Sequence, residues 1–328
     1  MHFVPSDRLP SDENERHAVL RTYFCDKDAL LGPTEGGWEL DLAWPEGKDR
    51  HVDPALELGL RWWGGNLQLG DMPHARRREG KILTALYDTW TLHSWSEWLE
   101  KIGSPQAKDV VILHVDDHRD LGSPRLFSRD GEWIDAITLQ AFDLYDPASV
   151  ERSIRSGAIG MGSFMTPFLH QFPTSNIRHL CQPPKTSETH RYSFRPTTEP
   201  DTLLDVGSRR PSIQLQEESA GMGAYLVTSN MESWLSEIGS QSILLHIDMD
   251  YFNNRYDGDS DWKTRPEALD PDSQSVGEKI DALVAALAQH KLGTRIEDVT
   301  IAFSPGFFPA ELWQAADQRL RSGLKGIL

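Results

Sequence analysis

Two short segments place aspartate and histidine residues directly after apolar runs. The first reads VVILHVDDHRD over residues 110–120, and the second reads ILLHIDMDYF over residues 243–252. Such runs are typical of buried parallel strands, and open α/β sheets bind ligands at the carboxyl ends of their strands. We therefore expect one crevice to collect Asp116, His118, Asp120, Asp248 and Asp250. Because buried acids repel one another unless a cation is present, the pattern predicts a metal site.

The donor types in these segments indicate which metal to expect. Imidazole nitrogens and carboxylate oxygens together suit Mn²⁺, and the excess of carboxylates argues against a structural zinc. The number of acids fits a pair of ions about 3.5–4 Å apart that share one or two bridging carboxylates. Such a pair lowers the pKa of the water between its ions. The segments therefore predict metal-assisted hydrolysis with two Mn²⁺ ions as the cofactor.

These motifs resemble the ureohydrolase superfamily of arginases and agmatinases, which shares its fold with histone-deacetylase-like enzymes. Three segments carry the resemblance: HVDDHRDL at residues 114–121, IDMDYF at 247–252 and SPGF at 304–307. They are most similar to a divergent branch that contains peptide arginases. Those enzymes convert arginine residues of ribosomally made peptides to ornithine and release urea. The resemblance spans roughly residues 80–310 and does not extend to residues 1–75.

The resemblance also implies a set of ligands. The family has a further histidine after an earlier strand, and His93 fits that place, although a packed imidazole among tryptophans is the alternative. One ion would then be held by His93, Asp116, Asp120 and Asp248, and the other by His118, Asp116, Asp248 and Asp250. Asp120 would also orient the attacking hydroxide. For His114 and His246, one step lower on their strands, we expect a supporting or core role.

The chain departs from the free-arginine enzymes in several places. Asp117 replaces their alanine, and residues 301–305 of the expected late strand lack their guanidinium-binding glutamate. A glycine-rich stretch at 157–163, which we interpret as a turn, replaces the loop that supplies their proton shuttle. His170 is the candidate shuttle here, with an ordinary loop histidine as the alternative. These departures favour an arginine-containing peptide over free arginine as the substrate.

One further acidic segment is open to two interpretations. Asp257-x-Asp259-x-Asp261 resembles the start of a calcium loop, but no glutamate occupies the twelfth position. We interpret it as a solvated loop, with the alternative that one of its acids meets the substrate guanidinium.

Composition narrows the classes of partner and location. The chain has 328 residues, a formal net charge of −17 and a pI near 5.1, which argues against nucleic acid as a partner. Its two cysteines, Cys25 and Cys181, lie far apart and predict neither a disulfide framework nor a cysteine zinc site. Residues 1–7 do not resemble a signal peptide, and no apolar stretch has the length of a membrane span. We expect a cytoplasmic protein, and its oligomeric state stays open.

The pattern of elements predicts the fold class. We expect strands at 81–88, 110–115, 225–228, 242–247 and 299–303, and helices at 94–102, 149–156, 231–238, 273–292 and 309–320. For residues 1–75 we expect short strands and loops, and for residues 171–222 we expect a long irregular stretch. Strands that alternate with helices indicate a mostly parallel sheet covered on both faces. We therefore predict a single α/β domain over residues 1–328, a three-layer α/β/α fold of the arginase/deacetylase type.

The function predicted from the sequence is hydrolysis of peptide arginine to ornithine and urea by a binuclear manganese enzyme. A deacetylase or amidase of the same fold, which would use one zinc ion, is the nearest alternative. A non-catalytic protein with a structural cation is the alternative from another class. Counting and identifying the bound metal ions would separate the two-manganese enzyme from the one-zinc deacetylase. Substitution of Asp116 or Asp248 would separate an enzyme, which should lose activity, from a non-catalytic protein.

Overall fold

The computed structural model describes residues 2–47, 50–103, 110–129, 131–217, 221–258, 262–264 and 269–328. Its strands are β1 (His2–Pro5), β2 (Asp28–Thr34), β3 (Gly37–Ala43), β4 (Arg76–Glu79), β5 (Ile82–Ala85), β6 (Val110–Val115), β7 (Leu126–Arg129), β8 (Glu132–Asp135), β9 (Ala141–Phe142), β10 (Asn176–Leu180), β11 (His190–Pro200), β12 (Arg209–Gln216), β13 (Gly223–Thr228), β14 (Ser242–Asp248) and β15 (Ile296–Ala302). Its helices are α1 (Glu13–Phe24), α2 (Leu56–Trp63), α3 (Trp90–Ile102), α4 (Pro147–Ser156), α5 (Met165–Gln171), α6 (Met231–Leu235), α7 (Ser273–Gln289) and α8 (Trp313–Lys325).

Nine strands form the central sheet, in the spatial order β12-β11-β13-β10-β6-β14-β15-β5-β4. The six strands from β13 to β5 in this order run parallel, and the outer strands β11, β12 and β4 run antiparallel to their neighbours. Helices pack on this sheet, with α3 against β15 and α6 against β10. The predicted α/β class with a mostly parallel sheet is confirmed. Carboxyl ends of β6, β14, β15 and β5 therefore meet at one edge.

The two strands that precede the acidic motifs form as predicted. β6 has the predicted bounds, and β14 extends one residue further, to Asp248. All six residues of β6 are buried, which matches an apolar run covered on both faces. Thr300 on β15, His246 on β14 and His114 on β6 are aligned across the sheet. This register brings corresponding positions of the two motifs side by side.

The prediction of an irregular stretch over residues 171–222 was wrong, because β10, β11 and β12 lie within it. Proline suggested loops, but these prolines occupy positions where a strand tolerates them. Pro196 lies beyond the part of β11 that pairs with β13, and Pro211 lies on the edge strand β12. The strands therefore form although the composition is typical of loops.

Helix α3 begins at Trp90, four residues before the predicted start. Ser94 does not cap it, because its hydroxyl lies inside the helix and donates to Asp298 on β15 at 2.6 Å. Helix α7 begins where predicted, and Asp272 caps it by accepting the Ser275 N–H at 2.8 Å. The glycine-rich stretch at 157–163 forms the predicted turn, since it links α4 to α5.

Residues 1–75 contain more helix than the sequence predicts. Strands β1, β3 and β2 form a separate three-stranded sheet, which agrees with the short strands expected, but α1 and α2 were missed. Val4, Leu20 and Phe24 belong to a small apolar cluster around this sheet, apart from the main core. Among the described helices, none is long and apolar enough to cross a membrane.

Candidate metal centre

Four neighbouring strands deliver polar side chains to one cavity of about 470 Å³. Asp120 follows β6, Asp248 ends β14, Ser304 follows β15 and Asp88 follows β5. Asp116, which directly follows β6, is buried and is not among the residues that line the cavity. The strand ends therefore collect the acids as the sequence predicted, with Asp88 as a member that the sequence analysis did not single out.

The two motifs make the same local turn. Asp116 Oδ1 accepts the N–H of His118 at 2.6 Å, and Asp248 Oδ1 accepts the N–H of Asp250 at 3.1 Å. An aspartate that accepts the N–H two residues on reverses the chain direction. As a result His118 and Asp250 face each other, with Nδ1 and Oδ2 2.8 Å apart. The period-two spacing therefore brings these ligand types together across two strands.

Strained backbone also marks this edge of the sheet. Asp120 has a φ of +52° and Ser304 a φ of +42°, which is an unfavourable region for side chains other than glycine. The Ser304 hydroxyl donates to Asp248 Oδ2 at 2.5 Å. Such strain persists where the surrounding structure enforces it, and it is concentrated at functional sites.

Four of the buried carboxylates, which we call the inner cluster, are Asp88, Asp116, Asp120 and Asp248. Within the described chain no lysine or arginine pairs with them, and three oxygens lack a hydrogen-bond partner: Asp88 Oδ1, Asp116 Oδ2 and Asp120 Oδ2. Burial, followed by the charge of nearby carboxylates, raises the pKa of Asp116 and Asp248. Burial raises the pKa of Asp120 to about 6. A cation would relieve each of these costs.

The donors are close enough to share a cation. One ligand atom from each of His114, Asp116, Asp120 and His246 lies within 4.8 Å of the others, and the same holds for Asp116, His118 and Asp250. Together with the unpartnered carboxylate oxygens, this arrangement fits a divalent metal. The buried groups can therefore bind a metal ion, as the sequence predicted.

Next to these acids lies an outer cluster of Asp117, His118, Lys185, Asn254 and Asp257. Lys185 Nζ lies 2.7 Å from Asp117 Oδ2, and Asn254 donates to the same oxygen at 2.7 Å. His118 Nε2 lies 2.9 Å from Asp257 Oδ1. Although burial opposes it, the His118 hydrogen bond and the Lys185 charge hold the pKa of Asp257 below its usual range. Asp259 and Asp261 lie outside the described residues.

A row of three buried imidazoles, His179, His114 and His246, lies under Asp116 on β10, β6 and β14. His179 donates from Nε2 to the Asp116 carbonyl at 2.9 Å and accepts from the Tyr225 hydroxyl at 2.7 Å. His114 donates from Nε2 to the His118 carbonyl at 3.0 Å, so its Nδ1 accepts from His246 at 3.0 Å. Burial lowers the pKa of all three imidazoles, which keeps them neutral. The row therefore holds both ends of the Asp116–His118 turn.

The structure does not bring His93 to the inner cluster. On α3 its ring packs 5.4 Å from the Trp90 ring, and its Nε2 lies 3.9 Å from Glu151. The charges that act on it come from Glu97, Arg76, Glu151 and Arg78, none of which belongs to the cluster. His93 thus has the surroundings of the packed imidazole that the sequence left as the alternative.

His170 is likewise placed elsewhere. Its Nε2 donates to the Ser212 carbonyl at 3.0 Å, and its ring lies 5.3 Å from Trp133. It lines a different cavity from the one above the inner cluster. Its structural contacts are those of a hydrogen-bonded histidine beside β12.

Two residues of the site were missed because their signals are weak. Asp88 was included in the predicted strand 81–88, where one acid at the end of an apolar run gave no motif. His179 fell in the stretch that the composition indicated as irregular. Its signal is a histidine in the short run NIRHL, which aligns with His114 in the sheet.

No protein-family model matches the chain, and no curated protein matches it. A fold by itself does not specify an activity. The function is therefore inferred from which side chains meet, how deeply they are buried and which of their atoms lack partners.

Proposed function

We propose that this protein is a cytoplasmic, two-manganese hydrolase of the arginase/deacetylase fold that converts arginine residues of a peptide to ornithine and releases urea. One observation carries the proposal: buried carboxylates from neighbouring strand ends face a cavity with oxygens that have no partner. The proposed substrate, an arginine residue of a peptide, rests on the resemblance of residues 114–121, 247–252 and 304–307 to peptide arginases.

The residues divide between two ion positions. Asp116, Asp120 and Asp248 would hold one ion, and His118, Asp250, Asp116 and Asp248 would hold the other. When bound, the ions activate water and stabilise the charge that develops on the guanidinium. The unpartnered oxygens of Asp116 and Asp120 support this assignment.

The cavity suits the side chain of an arginine residue. Leu121, Met161 and Phe307 line it and would contact the methylene groups, while Asp120 and Asp248 supply negative charge for the guanidinium. The exposed Arg119 also lines it. In the proposed reaction, water adds to the guanidinium carbon and the bond from that carbon to the side-chain nitrogen breaks. Ornithine keeps that nitrogen, and urea leaves with the carbon.

Asp120 is the group proposed to handle the proton, since His170 does not reach the cavity. Asp120 lines the cavity, and a carboxylate in this position can take a proton from water. It would return the proton to the departing side-chain nitrogen. Such proton transfer contributes about 10²–10⁴-fold to the rate.

The test is incubation of the protein with Mn²⁺ and arginine-containing peptides, followed by mass spectrometry of the peptide and a urea assay. We expect conversion to ornithine that depends on Mn²⁺ and is lost in Asp116→Asn and Asp248→Asn. Asp281→Asn is the matched control, because Asp281 is exposed and pairs with Arg319. Urea production that survives both site substitutions contradicts the catalytic proposal.

Metal analysis tests the nearest alternative. Two Mn²⁺ per chain supports the proposed centre, whereas one zinc per chain with amide hydrolysis would favour a deacetylase. If the protein binds Mn²⁺ but hydrolyses no guanidino compound, the substrate assignment fails while the metal centre remains.

A further inference from the structure

Asp88 is a buried acid with one carboxylate oxygen committed and the other without a partner. Its Oδ2 accepts the N–H of Gly162 at 2.9 Å, while its Oδ1 has no hydrogen-bond partner among the described residues. The residue is 4% exposed and lines the cavity. The Gly162 contact therefore fixes the carboxylate so that its second oxygen is left for a ligand.

The groups that face Asp88 are acidic. The largest charges acting on it are those of three acids, Asp120, Asp248 and Asp26. Gly162 lies between Asp88 and Asp120, because a Cβ at this glycine would come 3.7 Å from Asp120 Oδ1. Gly162 of the turn at 157–163 thus contacts both carboxylates, and a cation is the simplest partner for both.

We propose that Asp88, and not His93, completes the ligand set on the Asp120 side of the metal centre, binding a divalent cation through Oδ1. This inference rests on the metal centre of the proposed function. Asp88 then joins Asp120 on that side, since Gly162 contacts both residues. Oxygen donors alone favour Mn²⁺ or Mg²⁺ over Zn²⁺.

The alternative role for Asp88 is to bind the substrate guanidinium. A carboxylate that recognises a guanidinium typically uses both oxygens in parallel hydrogen bonds. Asp88 has only one such oxygen, since Gly162 occupies the other. The largest charges acting on it also belong to two candidate metal ligands, Asp120 and Asp248. The geometry therefore favours coordination.

The experiment counts Mn²⁺ per chain by equilibrium dialysis and titration calorimetry in four proteins: wild type, Asp88→Asn, His93→Gln and the exposed control Asp281→Asn. We expect wild type, His93→Gln and Asp281→Asn to bind two ions. Asp88→Asn should bind one ion tightly and the second at least about 100-fold more weakly, a larger loss than supporting residues cause.

Thermal unfolding in a chelator checks that Asp88→Asn folds. Without metal this variant should melt no lower than wild type, because it removes a buried charge while leaving an acceptor for the Gly162 N–H. Asp88→Ala provides a second variant without that acceptor. It should show the same loss of one ion.

Several outcomes overturn the inference. Two tightly bound ions in both Asp88 variants would do so, as would loss of an ion in His93→Gln. Full Mn²⁺ binding with weakened peptide binding in Asp88→Asn would instead make Asp88 the guanidinium anchor. Wild type that binds no Mn²⁺ removes the metal centre and this inference together. If the wild-type protein binds two ions but produces no urea, the proposed reaction is wrong while the ligand assignment of Asp88 still stands.

Discussion

The inner and outer clusters share one edge of the sheet but balance their charges differently. In the outer cluster, Asp117 pairs with Lys185 at 2.7 Å, and Asp257 lies 2.9 Å from His118. In the inner cluster, by contrast, Asp88, Asp116 and Asp120 each keep an oxygen without a partner. The outer cluster therefore contains its own cation, whereas no described lysine or arginine pairs with the inner cluster.

This difference separates the effects of metal on the two clusters. Like charges buried together cost free energy, and a divalent ion removes that cost only where it binds. The outer cluster holds His118 in place with or without metal. Loss of metal should therefore destabilise the inner cluster and leave the outer contacts unchanged.

The largest effect that we expect is the change in melting temperature when metal is removed at different pH values. It tests the difference between the inner and outer clusters. In the folded, metal-free chain burial raises the pKa of Asp120 from 3.8 to about 6. Between these values the folded state binds more protons than the unfolded state, so its stability is present at low pH and falls as pH rises. Mn²⁺ binds the ionised carboxylates more tightly over the same range. The melting temperatures with Mn²⁺ and with chelator should therefore diverge from about pH 4 to about pH 6.

The control for this prediction is Asp120→Asn, in which the difference in melting temperature between Mn²⁺ and chelator should increase less with pH. Asp281→Asn should behave as wild type, since Asp281 is exposed. If the difference in melting temperature between Mn²⁺-loaded and chelator-treated protein stays constant over this pH range, the charges of the inner carboxylates are neutralised by groups of the chain itself. The distinction between the two clusters would then be lost.

Lys185→Met should produce a smaller effect, centred on the outer cluster. Among the described residues it leaves the buried Asp117 with two side-chain donors, Asn254 and the weakly donating Cys181 thiol. Because Lys185 is 39% exposed and water screens the pair, we expect a stability loss of only about 1–2 kcal/mol. Mn²⁺ affinity should fall by about tenfold as His118 loses support, while two ions still bind. Denaturant unfolding and calorimetry measure the two quantities.

Lys325→Met provides the matched control, because Lys325 pairs with Glu79 on the surface and both are exposed. It should change neither quantity measurably. Complete loss of one ion in Lys185→Met would contradict the view that the outer cluster only supports the centre.

The sequence predicted the acids that follow β6 and β14 because each ends a long apolar run with a regular spacing. It did not distinguish Asp88 from His93, since both follow β5 and only the start of α3 decides between them. With the helix beginning at Trp90, His93 is three residues on and shares a face with that tryptophan, whereas Asp88 stays at the strand end. Lys185 and Asp257 come from loops, whose paths leave no periodic signal.

The smallest effect is expected at Tyr225, which supports the inner cluster through His179 and the Asp116 backbone carbonyl. Tyr225→Phe removes the hydroxyl that donates to His179 Nδ1, and His179 in turn donates to the Asp116 carbonyl. We expect a stability loss of about 1 kcal/mol and a fall in Mn²⁺ affinity of less than about tenfold. Tyr192→Phe is the control, because the Tyr192 ring lies 6.2 Å from that of Tyr225 on the neighbouring strand. An affinity loss as large as that of Asp88→Asn would contradict this prediction and would show that the Tyr225–His179 pair is needed to orient the Asp116 ligand.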